Sequence, residues 1–239
     1  EVELPLRALF EAPTVAGLAP RVEALRSAGA PLLPPVVPVE RTGALPLSFA
    51  QERLWFLDRL QPGSAFYNIP SAVRLDGPLD RDALERALGE LVRRHESLRT
   101  VFVVEDGAPA QVVAELAGFT LPVDDLSGLE EGGELEAAIR RRAGEEGARP
   151  FDLAAGPLFR AHLLRLADDD HVLLLTMHHI VSDAWSLDVL FRDLWALYGA
   201  LRDGREAALP ALAVQYADYA AWQRRVLQGE ALDRQVGWW

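Results

Sequence analysis

Five prolines fall within residues 27–46 (SAGAPLLPPVVPVERTGALP), and no other feature restricts the fold of the chain as strongly. Proline fixes φ and has no amide hydrogen to give to a helix or a sheet. The stretch has no helical period, so it reads as a stiff, extended linker. It divides 239 residues into two unequal parts. Ahead of it, Leu6, Leu9, Phe10, Val15, Leu18, Val22 and Leu25 are the apolar positions, interrupted by Pro13 and Pro20. They predict one or two short helices over 1–26, with too little apolar surface for a core of their own. From Leu47 onward the chain is long enough for a domain.

That second part alternates between helical and strand patterns. Ser48 caps a predicted helix over 49–61 that carries Leu54, Leu57, Trp55 and Phe56. A strand is predicted at 66–76. Asp80 caps a helix to about 95, with Leu84, Leu88 and Leu91 on one face. A strand at 99–105, a turn at Asp106-Gly107 and a return at 110–114 form a hairpin, and 119–124 reads as a further strand. Residues 129–147 alternate acid and base; Glu136 with Arg140, or Arg142 with Glu146, sit four apart, as on a solvated helix of ion pairs. Strands at 158–167 and 171–178 meet at Asp168-Asp169-Asp170, read as a charged hairpin tip rather than a cation site. Leu187, Leu190, Phe191, Leu194 and Tyr198 follow the three-and-four spacing of a helix over 186–202. A last helical region covers 214–228.

Composition excludes several functions. There is no cysteine, hence no disulfide scaffold and no thiolate chemistry. The net charge of −12 argues against a nucleic-acid partner. No apolar run is long enough to span a membrane. All 24 basic residues are arginine and asparagine occurs once, at Asn68, which points to a GC-rich, bacterial source. The chain begins without methionine or a signal segment and stops at Trp238-Trp239. It therefore reads as a piece of a longer cytoplasmic protein, its last helix interrupted.

One segment concentrates chemistry: Met177-His178-His179-Ile180-Val181-Ser182-Asp183-Ala184-Trp185-Ser186, between an apolar strand and an amphipathic helix. Strand ends leading into helices project side chains into clefts. Along a strand His178 and His179 point to opposite sides, so at most one faces a cleft and the other is packed. Asp183 or Ser182 can cap the helix that follows. Metal binding is the weaker reading, because opposed imidazoles do not chelate one ion without a bend and the spacing is not His-Glu-x-x-His. No Gly-x-Ser-x-Gly elbow or phosphate-binding loop is present. His95 reads as a satisfied histidine on an apolar helix face; His162 and His171 sit in or beside strands without chemical neighbours.

The segment His178 to Ser186 resembles the His-His-x-x-x-Asp-Gly signature of the condensation domains of nonribosomal peptide synthetases. Ala184 stands where that signature has glycine. Two further motifs agree in order: Ser48-Phe49-Ala50-Gln51-Glu52-Arg53-Leu54-Trp55-Phe56-Leu57, and Arg94-His95-Glu96-Ser97-Leu98-Arg99-Thr100-Val101-Phe102. Tyr67-Asn68-Ile69-Pro70 and Pro150-Phe151-Asp152-Leu153 are also similar to the family's. The resemblance covers about 45–239.

It implies an α/β (α+β) fold, half of a chloramphenicol acetyltransferase-like architecture with a mixed sheet flanked by helices. Residues 47–239 would be the N-terminal lobe, with the second lobe absent. Leu9-Phe10-Glu11-Ala12-Pro13-Thr14-Val15 resembles the closing helices of a carrier domain, placing a carrier tail at 1–26 and the linker at 27–46.

The implied reaction is aminolysis of a thioester, with both substrates arriving on phosphopantetheine arms and no cofactor or metal bound by the chain itself. The implied partners are an upstream donor carrier, a downstream acceptor carrier, the second lobe and an adenylation domain. The resemblance gives His179 the catalytic role, as general base or as a hydrogen-bonding, positioning group. His178, Asp183 and Arg99 support the site, with Arg99 and Asp183 expected to form an ion pair. Ala184, Trp185 and Ser186 are expected along the substrate tunnel, with core packing the alternative for Trp185. The subclass that joins an L-donor to an L-acceptor fits best. An epimerization domain, or a non-catalytic lobe that only docks carriers, are the alternatives.

Overall fold

The computed structural model describes residues 4, 6–27, 33–115, 118–130, 132–206, 209–229, 232–233 and 236–237. Trp238 and Trp239, placed by the sequence in an interrupted helix, lie outside them. The chain forms two compact units, residues 1–36 with 226–239, and residues 37–225.

In the first unit two helices form, α1 (Leu6–Glu11) and α2 (Val15–Ser27). The break falls at Pro13, as expected. Pro20 was expected to interrupt the second segment, yet it lies inside α2. Arg21 reaches back to Glu11 at 2.7 Å, while Leu6, Phe10 and Val15 remain exposed.

The second unit is built on a four-stranded mixed sheet in the order β2-β7-β6-β5. Strands β2 (Asn68–Asp76) and β6 (Phe159–Ala167) both run antiparallel to β7 (Asp170–His178), and β5 (Val123–Asp125) runs parallel to β6. A sheet covered on both faces reads as continuous apolar sequence, and β7 is buried from His171 to His178. Odd-numbered residues Phe159, Ala161, Leu163, Leu173, Leu175 and Met177 pack on α4 (Arg81–Arg94) and α6 (Ala184–Arg202). Even-numbered Leu164, Leu166, Val172 and Leu174 pack with Leu135 of α5 (Gly133–Ala148) on the other face. A smaller antiparallel sheet, β1-β4-β3, joins β1 (Leu45–Pro46), β4 (Ala108–Val113) and β3 (Thr100–Glu105). Helices α3 (Phe49–Leu60) and α7 (Tyr216–Val226) complete the elements.

Several boundaries shift for physical reasons. The extended segment enters this unit at Val37, ahead of the expected start at 47. Asp218 is 2 % exposed, and a carboxylate so buried needs donors. The Val39 amide (2.8 Å) and the Arg41 guanidinium (2.7 Å) supply them. The strand expected at 99–105 begins with a 3-10 turn over Glu96–Arg99. The strand expected over 119–124 is reduced to β5. On α5 the Glu136–Arg140 pair forms at 3.8 Å, but Glu146 turns away from Arg142 to hydrogen-bond Arg160. Arg142 reaches Asp124 instead, at 2.7 Å. The Asp168–Asp170 hairpin tip forms as expected. Ser48 caps α3 through a reciprocal capping box with Gln51.

Candidate functional site

The end of β7 separates the two imidazoles. His178 is the last strand residue and, being even-numbered, follows Val172 and Leu174 toward the α5 side. It is 2 % exposed and lies between the rings of Tyr67 and Phe151, with centroids at 6.3 and 6.2 Å. Its Nδ1 accepts the Ile180 amide at 3.1 Å, so that nitrogen carries no proton. Burial, with a lesser contribution from His179, pushes its pKa down to about 4.

The next residue leaves the strand and turns outward. His179 is exposed. Its amide donates to the Tyr67 carbonyl at 2.8 Å. Its Nδ1 lies 2.8 Å from the Ser182 carbonyl oxygen. A carbonyl only accepts, so Nδ1 carries the hydrogen. In the neutral ring Nε2 is then the free lone pair. The Ser182 hydroxyl itself is buried and has no hydrogen-bond partner among the described residues.

Asp183 serves the helix. As N-cap of α6 its Oδ1 accepts from the Ser186 amide (2.8 Å) and hydroxyl (2.6 Å). These bonds hold its carboxyl below the ordinary range. The expected Arg99–Asp183 ion pair is not made. Arg99 Nη1 donates to the Ala114 carbonyl at 2.6 Å and Nη2 lies 3.8 Å from Glu96. The physical reason is local: Arg99 stands at the foot of β3 beside the end of β4, and the cap already satisfies Asp183. Ala184 is the first residue of α6, and its φ is not positive. The backbone there does not need glycine. Trp185 is 80 % exposed, which rules out core packing. Ser186 is the capping partner. The structure thus groups His178, His179, Asp183 and Ser186 on one turn, and leaves Arg99 elsewhere.

The remaining histidines are structural. His95 caps α4, beyond the helix face where the sequence placed it, and its Nε2 lies 3.0 Å from buried Asp193. His162 is 3.1 Å from Asp124. His171 is buried on β7. Among the described residues no group of three or more histidine, aspartate or glutamate side chains is arranged to hold a metal, and no helix is long and apolar enough to cross a membrane. A cavity of about 950 Å³ lined by Arg86, Arg93, Leu197 and Leu201 includes none of the residues above.

Sequence reasoning gave no role to Tyr67 or Phe151, although both stand in motifs that carry the resemblance. Aromatic residues flanking a histidine-bearing strand end were the available signal. Nothing in the sequence announced the Ser182 carbonyl.

The buried His178 has a measurable consequence. The unfolded chain takes up a proton at this residue below about pH 6.5, whereas the folded chain resists until about pH 4. Folded stability is therefore complete above that window and falls as the pH drops through it, by about 3 kcal/mol. His95 and His171, also lowered by burial, add to the same acid limb. Urea titrations at pH 7 and 4.5 should show a clearly shallower loss for His178→Asn, which keeps an acceptor for Ile180. An equal loss in both proteins would count against the buried, neutral imidazole.

The chain is similar to known proteins. A family model described as "Condensation domain" matches residues 41–239. One of the linear gramicidin synthase subunits of Brevibacillus parabrevis is 48 % identical over 100 % of the chain, which spans 3 % of that protein. Phosphinothricin tripeptide synthetase PhsC of Streptomyces viridochromogenes is 47 % identical over 94 % of the chain, equivalent to 21 % of its length. Among solved structures, the X-domain in complex with OxyB from teicoplanin biosynthesis is 36 % identical with a TM-score of 0.76, covering 88 % of this chain and 46 % of that one. The first condensation domain of the CDA synthetase is 28 % identical with a TM-score of 0.71, covering 84 % and 49 %. The chain thus spans about half of each solved domain.

Proposed function

Because the chain belongs to the condensation-domain family, we propose that it is the N-terminal lobe of a domain that forms amide bonds between two carrier-bound substrates. The observation that carries the proposal is the outward His179 ring, whose Nδ1–H is bound by the Ser182 carbonyl and whose Nε2 is left free. The amine of a downstream aminoacyl group attacks the carbonyl carbon of an upstream thioester. The carbon–nitrogen bond forms and the carbon–sulfur bond breaks. Nε2 takes the proton lost by the amine and returns one to the departing sulfur. Both substrates are tethered on phosphopantetheine arms, so placement supplies much of the rate. His178, Asp183 and Ser186 hold the turn, and Trp185 and Ala184 face the substrate path.

The rest of the assembly follows from the same reading. Helices α1 and α2 are the tail of the upstream carrier, whose missing part covers Leu6, Phe10 and Val15. A second lobe, an acceptor carrier and an adenylation domain complete a bacterial, cytoplasmic synthetase module of the L-to-L subclass.

The intact synthetase with both carriers charged tests this, by mass spectrometry of the carrier-bound products. A new amide is expected. A D-configured aminoacyl group without an amide would point to epimerization. No chemistry at all, with stable binding of a carrier or other protein, would favour a docking lobe. The structural neighbour solved in complex with OxyB gives that second reading its support.

A further inference from the structure

Strand β6 presents Leu164 and Leu166 to the α5 side of the sheet, yet on the same parity it opens with an arginine. Arg160 is 13 % exposed. Its guanidinium gathers the end of α5 and the turn that follows. It hydrogen-bonds the Glu146 carboxylate, and it donates to the carbonyls of Glu146 (3.1 Å), Arg149 (2.7 Å) and Pro150 (3.3 Å). Carbonyls at a helix C-terminus lack intrahelical partners, and a cation suits them. The same guanidinium lies over the Phe151 ring, 3.8 Å from its centroid. Phe151 is 6 % exposed and meets the His178 ring edge-on, at 86°.

These contacts form one line from Glu146 through Arg160 and Phe151 to the histidine preceding His179. The ring of His178 in turn accepts from Ile180, inside the turn that closes on Ser182. We propose that Arg160 is a positioning residue: its guanidinium fixes Phe151 against His178 and so sets the direction of the His179 ring. No side chain of this line reaches the exposed site, so Arg160 acts only through its neighbours. Lysine cannot replace it, because a point charge does not span three carbonyls and a ring.

The proposal rests on the reading of His179 above, and two readouts keep their failures apart. In the intact synthetase, Arg160→Lys should lower kcat about tenfold with KM unchanged, the signature of a misaimed group rather than lost binding. In the 239-residue chain, imidazole NMR should show His178 titrating from its position near 4 toward 6.5 as the Phe151 wall loosens. The groups facing that ring are Tyr67, Phe151, the Ile180 amide and His179. Phe151→Leu, which keeps the Glu146–Arg160 contact, should reproduce both effects and guards against misfolding of the lysine variant. The double variant should lose no more than Phe151→Leu alone, because both changes break one line. A kcat within twofold of wild type, an unmoved His178 titration, or additive losses would each overturn the role of Arg160. A wild-type synthetase that forms no amide would instead sink the function, and the titrations would still decide Arg160.

Discussion

Alanine at His179, in the intact synthetase with charged carriers, should slow single-turnover amide formation by about 10²–10⁴-fold. The side chain is exposed and packs no core, so the folded state should change by no more than about 1 kcal/mol. The two effects separate because one hydrogen bond, to the Ser182 carbonyl, is the side chain's only hydrogen bond among the described residues. His179→Asn sharpens the test. Its amide nitrogen can still donate to that carbonyl, but it offers no basic nitrogen in place of Nε2. Asparagine should therefore be as slow as alanine if proton transfer matters. If asparagine restores the rate, His179 only orients its substrate. Wild-type turnover in the alanine variant would remove it from the reaction.

Asp193→Ala should be the most damaging change to stability away from the site. Asp193 is 1 % exposed. It receives Arg94 Nε at 3.0 Å, His95 Nε2 at 3.0 Å and Arg192 Nη2 at 3.1 Å. Burial pushes its carboxyl up, and the bonds from Arg94, Arg192 and His95 together reverse this and leave it below the ordinary value. Removing the carboxylate leaves Arg94, itself 15 % exposed, with the Pro210 carbonyl but no anionic partner among the described residues. Breaking such a buried pair costs about 3–5 kcal/mol. Urea unfolding of the chain at pH 7 measures it, and a loss below about 1 kcal/mol would refute the network. Because the folded pKa is depressed, this contribution is full above about pH 4 and fades only below it. Acid should therefore remove the His178 contribution first.

Most of the frame was legible because the sequence states it twice, in periodicity and in caps. Ser48, Asp80 and Asp183 all cap the helices that follow them. The run from Val172 to Met177 is a strand buried on both faces. His178 and His179 part as expected, but because the strand ends at His178 and His179 already belongs to the turn rather than by alternation along the strand. What the sequence could not show is which partner a charged group chooses. Arg99 and Asp183 stand in neighbouring motifs, but each found a nearer partner, Ala114 and Ser186 respectively. Glu146 sat four residues from Arg142 and went to a strand instead. Such choices depend on distances through space, which linear spacing does not encode. The Ser182 carbonyl belongs to the same class: every residue has one, and only the turn brings this one to an imidazole.

That last contact bears on how such sites diverge and how they can be re-engineered. The group that selects the proton-bearing nitrogen of His179 is main chain, and the Ser182 hydroxyl beside it is unpartnered among the described residues. Residue 182 can therefore be recoded to alanine without changing which nitrogen of His179 bears the hydrogen. The side chain at 182 is free to vary, provided the backbone path of the turn and its Asp183–Ser186 cap are kept. Grafts between synthetases should preserve that path from the strand end to the helix cap as one unbroken piece.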